Sequence, residues 1–241
     1  MSSLSSSSAS GSLHDLVAVI PAAGVGRRMG GVIPKQYLRL AGRTVIEHAI
    51  QPLCDHPEVT TVVVSIGADD RYWRELSIST HPKIKLVTGG DERCQSVLNA
   101  LQWLANESLS STWVMVHDAA RPCLSTNDLN RLIELAMQQQ DGALLGSQVK
   151  DTIKKVTKDS NVVDETIDRS NLWRAQTPQM FPLDLLTKAM TDATAQSYIV
   201  TDEASAMELA GYSPVIVEGS ENNIKVTNPE DLQLAEYYLN L

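Results

Sequence analysis

Short apolar runs alternate along this chain with longer segments whose apolar residues recur at helical spacing. The short runs are rich in β-branched side chains and too short for free-standing helices, so they predict strands buried on both faces. Before residue 120 these runs lie at residues 16–20, 59–66, 84–87 and 113–116. Helices are predicted at residues 44–53, through Trp73 and Leu76 behind a cap at Asp69 or Asp70, at about 92–104, and after a cap at Ser125.

Strands that alternate with helices at these intervals predict an α/β fold, a single Rossmann-like domain with a mostly parallel, doubly wound sheet. Ligands bind such sheets beyond the carboxyl ends of the strands. Glycine-rich or polar segments follow three of the predicted strands, at residues 22–31, 89–91 and 117–118. We therefore expect these three segments to converge on one site.

The alternation breaks after residue 143. Two extended segments, 144–156 and 162–167, flank a polar turn and are rich in Lys, Asp and Thr, which predicts a protruding β-hairpin arm over about 148–171. Helices at 182–190, 201–210 and 229–239 and a strand at 215–217 complete the prediction. Nothing in the composition requires a domain boundary, so residues 14–241 are expected to form one domain.

Composition narrows the function classes. The formal net charge of -9 argues against a surface that coats nucleic acid, and no apolar run approaches the length of a membrane span. Three cysteines without metal-ligand spacing favour a reduced, cytoplasmic setting. Residues 1–13 are Ser-rich and lack the basic and apolar regions of a signal peptide, so they predict a disordered tail.

The loop after the first strand carries the strongest chemical signal. Pro21 ends the strand because it cannot donate to a sheet ladder. The small residues that follow allow backbone N–H groups to face an anion; they include Ala22, Ala23, Gly24 and Gly26. Three cations lie within nine residues of each other, which predicts polyphosphate binding; they are Arg27, Arg28 and Lys35.

The loop matches neither of the two commonest phosphate motifs. Met29 stands where a dinucleotide fingerprint needs its third glycine, and no Gly-Lys-Ser/Thr of a P-loop follows. On the glycines alone, an ordinary strand-to-helix turn with solvated basic residues is an equally good interpretation. The adjacent arginines and the downstream Pro-Lys-Gln favour function.

Residues 21–29, PAAGVGRRM, and 34–36, PKQ, resemble the signature of the sugar-phosphate nucleotidyltransferases. Within them the chain is most similar to the 2-C-methyl-D-erythritol 4-phosphate cytidylyltransferase family of the non-mevalonate isoprenoid pathway. The resemblance implies transfer of CMP from CTP to methylerythritol phosphate, with release of pyrophosphate. It implies that the loop binds the nucleotide and that Arg28 and Lys35 stabilise charge at the α-phosphate and the leaving group.

A second motif, residues 89–93, opens the helix predicted at about 92–104. From spacing alone, a helix cap by Asp91 is the better interpretation. The resemblance implies instead that this segment reads cytosine and holds the ribose, through Gly90, Asp91 and Ser96.

Asp118 is the candidate metal ligand. A carboxylate at the end of a buried strand can meet Mg²⁺ whose other ligands are phosphate oxygens and water. The alternative is that Asp118 caps the following turn and pairs with Arg121; the motif's specificity favours the metal. His117 is given no catalytic role, because the reaction needs no strong base.

The remaining candidates are individually unremarkable polar residues. The resemblance implies that four of them hold the erythritol phosphate and that Arg169 and Lys225 orient the attacking oxygen; the four are Thr152, Arg169, Thr177 and Lys225. In the resembled family the hairpin reaches over a partner subunit. A homodimer is therefore expected, in which Thr152 and Arg169 complete the neighbour's site. The matching segment 201–204 is taken as structural.

The sequence leaves several alternatives open. A ribitol-5-phosphate cytidylyltransferase would share the glycine loop and differ only around Arg169, Thr177 and Lys225. A non-catalytic nucleotide-binding module would bind CTP without releasing pyrophosphate. A dehydrogenase is the weakest alternative because of Met29. A fusion with the pathway's cyclodiphosphate synthase is not expected, since no second domain follows residue 241.

Overall fold

The computed structural model describes residues 15–24, 33–107 and 112–241. Within those ranges the strands are β1 (Leu16–Pro21), β2 (Arg39–Leu40), β3 (Arg43–Thr44), β4 (Val59–Ile66), β5 (Ile84–Thr88), β6 (Trp113–Val116), β7 (Ala143–Gln148), β8 (Ile153–Val156), β9 (Val163–Ile167), β10 (Trp173–Pro182) and β11 (Val215–Glu218). The α-helices are α1 (Val45–Asp55), α2 (Arg93–Asn106), α3 (Thr126–Ala136), α4 (Leu183–Ala195), α5 (Glu203–Leu209) and α6 (Pro229–Leu239). The predicted tail, residues 1–13, lies outside the described ranges.

Seven of the described strands form one sheet, in the order β11-β7-β10-β6-β1-β4-β5. Only β10 runs antiparallel to its neighbours, β7 and β6. The other neighbouring pairs are parallel, which confirms the predicted mostly parallel sheet.

The sequence pattern did not predict β10. Its register against β7 shifts between Ala175 and Gln179, and the Thr177–Pro178 peptide bond between them is cis. Proline and polar residues occupy the middle of the strand, so neither an apolar run nor an alternating pattern marks it.

The helix predicted through Trp73 and Leu76 is wrong. Two short 3-10 helices, Trp73–Glu75 and Ser77–Thr80, lie there instead. The side chains of Trp73, Leu76 and Ile78 are buried, and this spacing does not continue the apolar stripe of an α-helix. Tyr72 holds the capping position of the first 3-10 helix, and Oδ1 of Asp70 accepts from the N–H groups of residues 72 and 73 at 2.9 Å each.

Helices cover both faces of the sheet. Successive side chains of a strand point to opposite faces, and in β1 the side chains of residues 16, 18 and 20 pack with α1 and α3. Val17 and Val19 pack on the other face with α2 and α4. Complete burial contributes roughly 1.5–3 kcal/mol for a Val, Leu or Ile side chain, so a one-residue slip of this strand would be costly. The doubly wound arrangement is thereby confirmed.

The predicted arm is present as a hairpin. β8 and β9 pair with each other and form a separate two-stranded sheet. Val156, Val162 and Val163 on this hairpin are 48%, 67% and 54% exposed. An isolated two-stranded hairpin is only marginally stable in water, so this element gains most from contact with another surface.

None of the helices in the described part of the chain combines the length and apolar character needed to cross a membrane.

Candidate active site

Residues 22–24, the described part of the first segment predicted to converge, lie next to residues 89–91 and 117–118 at the carboxyl ends of β1, β4, β5 and β6. Backbone hydrogen bonds continue the parallel pairing past each strand: Ala22 N–H donates to the carbonyl of Ser65 and Gly89 N–H to that of Ile66, both at 2.8 Å. His117 N–H likewise donates to the carbonyl of Val19 at 2.9 Å. A Cβ on Gly89 would lie 2.5 Å from the Cβ of Ala23, so glycine permits this close approach of the loops.

A cleft of about 300 Å³ lies between these loops. Among the described residues that line it, three side chains are cationic and one is anionic, which suits an anionic ligand; they are Lys35, Arg93, Lys225 and Asp118. The predicted residues that line it are Ala22, Ala23, Gly24, Lys35, Ser96, Asp118 and Lys225.

Asp118 lies at the centre of a cluster of cations. Its Oδ1 accepts from Nε of Arg93 at 2.8 Å, and its Oδ2 contacts Nζ of Lys225 at 2.7 Å and Nε of Arg121 at 3.6 Å. Burial opposes ionisation of this carboxyl, but the three cations outweigh burial and hold its pKa well below the usual range. Asp118 is therefore a carboxylate at any physiological pH.

Arg93 bridges two carboxylates. While its Nε contacts Asp118, its two terminal nitrogens donate to Oε1 and Oε2 of Glu203 at 2.6 and 2.9 Å. Glu203 is the first residue of α5 and is fully buried. Burial of the Arg93 guanidinium would lower its pKa, but the two carboxylates outweigh burial and raise the pKa above its ordinary value.

Lys35 is fixed by its own turn and by a distant loop. It begins a 3-10 helix, Lys35–Tyr37, and its Nζ donates to the carbonyl of Val226 at 3.0 Å. The next side chain, Gln36, is 4% exposed and donates from Nε2 to the carbonyls of Ala22 and Gly24 at 2.7 and 3.0 Å. One side chain thus joins the Lys35 turn to the start of the glycine loop.

A buried chain of hydrogen bonds fixes the backbone of Asp118. Complete burial lowers the pKa of His117 to about 4, so its ring is neutral. Nε2 faces the carbonyl of Arg121 at 3.1 Å and must donate, which leaves Nδ1 to accept from Oγ1 of Thr177 at 3.0 Å. Thr177 Oγ1 in turn accepts the N–H of Asp118 at 3.0 Å. The Thr177 hydroxyl thus donates its one proton to His117 and accepts one hydrogen bond from Asp118.

The loop that carries Lys225 is held against the Asp118 loop. Val226 N–H donates to the carbonyl of Ala120 at 2.8 Å, and a terminal nitrogen of Arg121 donates to the carbonyl of Asn223 at 2.7 Å. Asn223, also fully buried, donates from Nδ2 to the carbonyl of Thr177 at 2.8 Å. These bonds bring a residue from the carboxyl-terminal region to the end of β6.

The second motif forms a tight turn. The N–H of Gly90 donates to Oγ of Ser96 at 3.0 Å, and Ser96 is 2% exposed. Helix α2 begins at Arg93 with Glu92 in the capping position and without a side-chain cap. Asp91 therefore does not cap the helix, and its exposed side chain remains available to a ligand.

Two predicted residues lie on the arm. Thr152 and Arg169 are both exposed, and neither is among the described residues that line the cleft. A terminal nitrogen of Arg169 contacts the carbonyl of Lys150 at the base of the same arm. Three further predictions fall outside the described residues, namely Gly26, Arg27 and Arg28.

A divalent cation fits beside Asp118 on the chemistry of the donors. In the described ranges no three His, Cys, Asp or Glu side chains come together in a way that could hold a metal. Mg²⁺ commonly takes one or two protein carboxylates and fills its other positions with substrate phosphates and water. A carboxylate offers about four lone-pair sites, and the close contacts from Arg93 and Lys225 leave some of them open. The residues therefore fit a divalent cation whose remaining ligands are supplied by a bound substrate and water.

Comparison with known proteins gives this geometry a family. The family model described as IspD, 2-C-methyl-D-erythritol 4-phosphate cytidylyltransferase, matches residues 16–241. The chain belongs to this family.

Individual relatives agree with the family model. The protein of that name from Vibrio vulnificus strain CMCP6 is 50% identical over 228 residues, which cover 95% of this chain and 96% of the relative. The one from Salmonella paratyphi C strain RKS4594 is 48% identical over 227 residues, covering 94% of each chain. The crystal structure of the Francisella tularensis 2-C-methyl-D-erythritol 4-phosphate cytidylyltransferase superposes with a TM-score of 0.80 at 37% identity, covering 93% of this chain and 99% of that one.

Three residues of this cytidylyltransferase site were not predicted from the sequence. Arg93 lies two residues after Asp91 in the second motif, and its cationic side chain is the signal that could have revealed it. Gln36 lies in the PKQ motif, but nothing in the sequence shows that its amide reaches back to the glycine loop. Glu203 follows Asp202, a helix cap, and its position in a segment predicted to be structural gives no sign of a contact with Arg93.

Replacement of Thr177 tests whether the buried chain of hydrogen bonds supports Asp118. We expect Thr177→Val to lower the free energy of unfolding by roughly 1–3 kcal/mol, because it leaves the buried Asp118 N–H without an acceptor. Thr177→Ser keeps the hydroxyl and is the matched control, expected to lose clearly less. Denaturant unfolding of both variants provides the measurement. Wild-type stability of Thr177→Val, with only a raised KM for the acceptor, would show that the hydroxyl serves the acceptor alone.

Proposed function

We propose that this chain transfers CMP from CTP to 2-C-methyl-D-erythritol 4-phosphate, producing 4-diphosphocytidyl-2-C-methyl-D-erythritol and pyrophosphate in isoprenoid precursor biosynthesis. Membership of the cytidylyltransferase family over residues 16–241 supports this activity. The observation that carries it is the ionised Asp118, buried among three cations at the floor of a cleft lined mostly by positive charge. We also propose that residues 14–241 form a single nucleotidyltransferase domain.

In the reaction an oxygen of the methylerythritol phosphate attacks the α-phosphorus of CTP. A new P–O bond forms as the bond between the α-phosphorus and the bridging oxygen breaks, and pyrophosphate leaves with its electron pair. Such a step depends on placement and charge neutralisation more than on proton transfer. The neutral, fully hydrogen-bonded His117 accords with this, because it offers no free base to the cleft.

Two cations are assigned to the phosphates of CTP. Lys35 and Arg28 would stabilise charge that develops at the α-phosphate and on the leaving pyrophosphate. Support for Lys35 comes from its place in the cleft and from the bond of its Nζ to the carbonyl of Val226, next to Lys225. The backbone of the glycine loop, with help from Arg27, would hold the triphosphate. The loop residues assigned to this role are Ala22, Ala23, Gly24 and Gly26.

The base and ribose of CTP are assigned to the second motif, through Gly90, Asp91 and Ser96. Asp91 has the exposed side chain that such contacts require, and Gly90 lies in the turn that Ser96 fixes. Ser96 itself would act mainly by holding that turn, since its hydroxyl already contacts the backbone of the motif.

Asp118 is proposed to hold Mg²⁺ together with the phosphates of CTP. When bound, the cation would neutralise phosphate charge at the reacting centre. The chain's own contribution is a carboxylate that stays ionised and is fixed in place by Arg93, Lys225 and the Thr177 hydroxyl.

The acceptor phosphate is assigned to Lys225, Thr177, Thr152 and Arg169. Of these, Lys225 lines the cleft, whereas Thr152 and Arg169 lie on the exposed arm. We therefore propose a homodimer in which each arm reaches over its neighbour and completes the neighbour's acceptor site. The exposed valines of the arm support such a contact. The three free cysteines support a cytoplasmic location.

Pyrophosphate release tests the reaction and the acceptor together. With CTP and Mg²⁺ we expect release with methylerythritol phosphate, and at least about 100-fold slower release with ribitol 5-phosphate, because polar groups placed for one acceptor discriminate strongly against another. Release with ribitol 5-phosphate alone would move the acceptor assignment to that sibling activity. Binding of CTP without release from either acceptor would favour a non-catalytic module.

Mixed dimers test the exchange of arms. Arg169→Ala and Lys225→Ala variants are each expected to be nearly inactive, because every site of such a dimer lacks one of these two side chains. Co-expression should restore about a quarter of wild-type activity, because half of the dimers are mixed and each mixed dimer has one intact site.

The matched control for the mixed dimers combines Lys35→Ala with Lys225→Ala. Both residues lie in the same cleft, so every site of that mixture retains a lesion and no activity should return. Absence of recovery in the first mixture, with mixed dimers verified by differential tagging, would contradict the exchange of arms.

A further inference from the structure

Glu203 makes the strongest contact with Arg93, and this contact has a consequence for Asp118. Arg93 offers Glu203 two hydrogen bonds from its terminal nitrogens and offers Asp118 only one, from Nε. A bidentate pair is stronger and geometrically better defined than a single contact. Glu203 therefore determines where the guanidinium lies.

Glu203 is itself held in place by the sheet. It is the first residue of α5, and the N–H of the next residue, Ala204, donates to Oε1 of Gln179 on β10 at 2.8 Å. Nε2 of Gln179 donates to Asp202, the residue that caps α5, at 2.9 Å. Gln179 and Glu203 are both fully buried. The carboxylate cannot follow Arg93 if the guanidinium moves toward Asp118.

The fixed carboxylate of Glu203 also sets the net charge of the group of side chains around Asp118. Asp118 is contacted by Arg93, Arg121 and Lys225, and the only other carboxylate that these side chains contact in the described part of the chain is Glu203. The group has a net charge of +1 with Glu203 and of +2 without it. Glu203 has no exposed surface, whereas the Arg93 side chain is 28% exposed, so water screens the added positive charge only in part.

We propose that Glu203 is a positioning residue whose charge keeps Arg93 from pairing fully with Asp118, so that Asp118 can bind a divalent cation together with the nucleotide. This inference rests on the proposed function, in which Asp118 is the metal ligand. Without Glu203, Arg93 has Asp118 as its single carboxylate partner and competes with the cation for that carboxylate.

The test measures how much a divalent cation strengthens the binding of CTP to each variant. Binding of CTP is measured by calorimetry without acceptor, once with Mn²⁺ and once with a chelator. The ratio of the metal-free Kd to the Mn²⁺ Kd isolates the cation's contribution, because effects on nucleotide binding alone cancel. The proteins compared are the wild type, Glu203→Gln, Arg93→Gln, the double variant Arg93→Gln/Glu203→Gln, and Asp118→Asn.

We expect Glu203→Gln to lower this ratio by at least about tenfold, because the charge of Arg93, a partly buried cation, is then uncompensated beside the metal. The double variant should recover most of the loss, since the competing cation is gone as well. Arg93→Gln alone should bind the metal no more weakly than the wild type. Glu208→Gln changes an exposed glutamate on the same helix and should leave the ratio unchanged.

Three outcomes overturn the proposal, and they differ from failure of the proposed function. Equal ratios for Glu203→Gln and the wild type would contradict it, as would a double variant that binds the metal more weakly than Glu203→Gln. If Glu203→Gln does not fold, a weakened ratio in Arg93→Gln still contradicts it. An unchanged ratio in Asp118→Asn would instead remove Asp118 as the metal ligand and leave the transferase activity to be judged by pyrophosphate release.

Discussion

The ion pairs around one buried carboxylate organise this molecule. Asp118 would be costly to bury alone, and contacts from Arg93, Lys225 and Arg121 offset that cost. Each cation comes from a different part of the chain, so the carboxylate draws the start of α2, its own loop and the carboxyl-terminal region to one point. The convergence that is proposed to bind the nucleotide is thus also a condition for burying Asp118.

The surrounding fold supplies rigidity where the chemistry needs it. Parallel strands end at the same edge of the sheet, and backbone hydrogen bonds extend that alignment into the loops. Buried polar side chains then fix the loops to one another, as Gln36, Thr177 and Gln179 do. Nucleotidyl transfer gains its rate from such placement. By contrast, the arm is exposed. It carries Thr152 and Arg169, which are proposed to complete the acceptor site of a neighbouring subunit.

Local patterns in the sequence predicted most of the fold but only part of the site. β4, β6 and α6 have the predicted bounds because their signals are local: apolar runs and Pro at a helix start. β10 was missed because its pairing, and not its residue pattern, makes it a strand. The role of Glu203 also depends on a contact 110 residues away, which no spacing rule reveals. Thr177 was predicted from the family resemblance, and only the structure reveals its bonds to His117 and Asp118.

A crystal structure with CTP and Mn²⁺, in which anomalous scattering locates the metal, tests the role of Asp118. We expect a peak about 2.1 Å from a carboxylate oxygen of Asp118, a distance typical of such small divalent cations, with Arg93 still paired to Glu203. A metal held by the triphosphate alone, with Asp118 still in contact with all three of its cations, would contradict the central role given to this carboxylate.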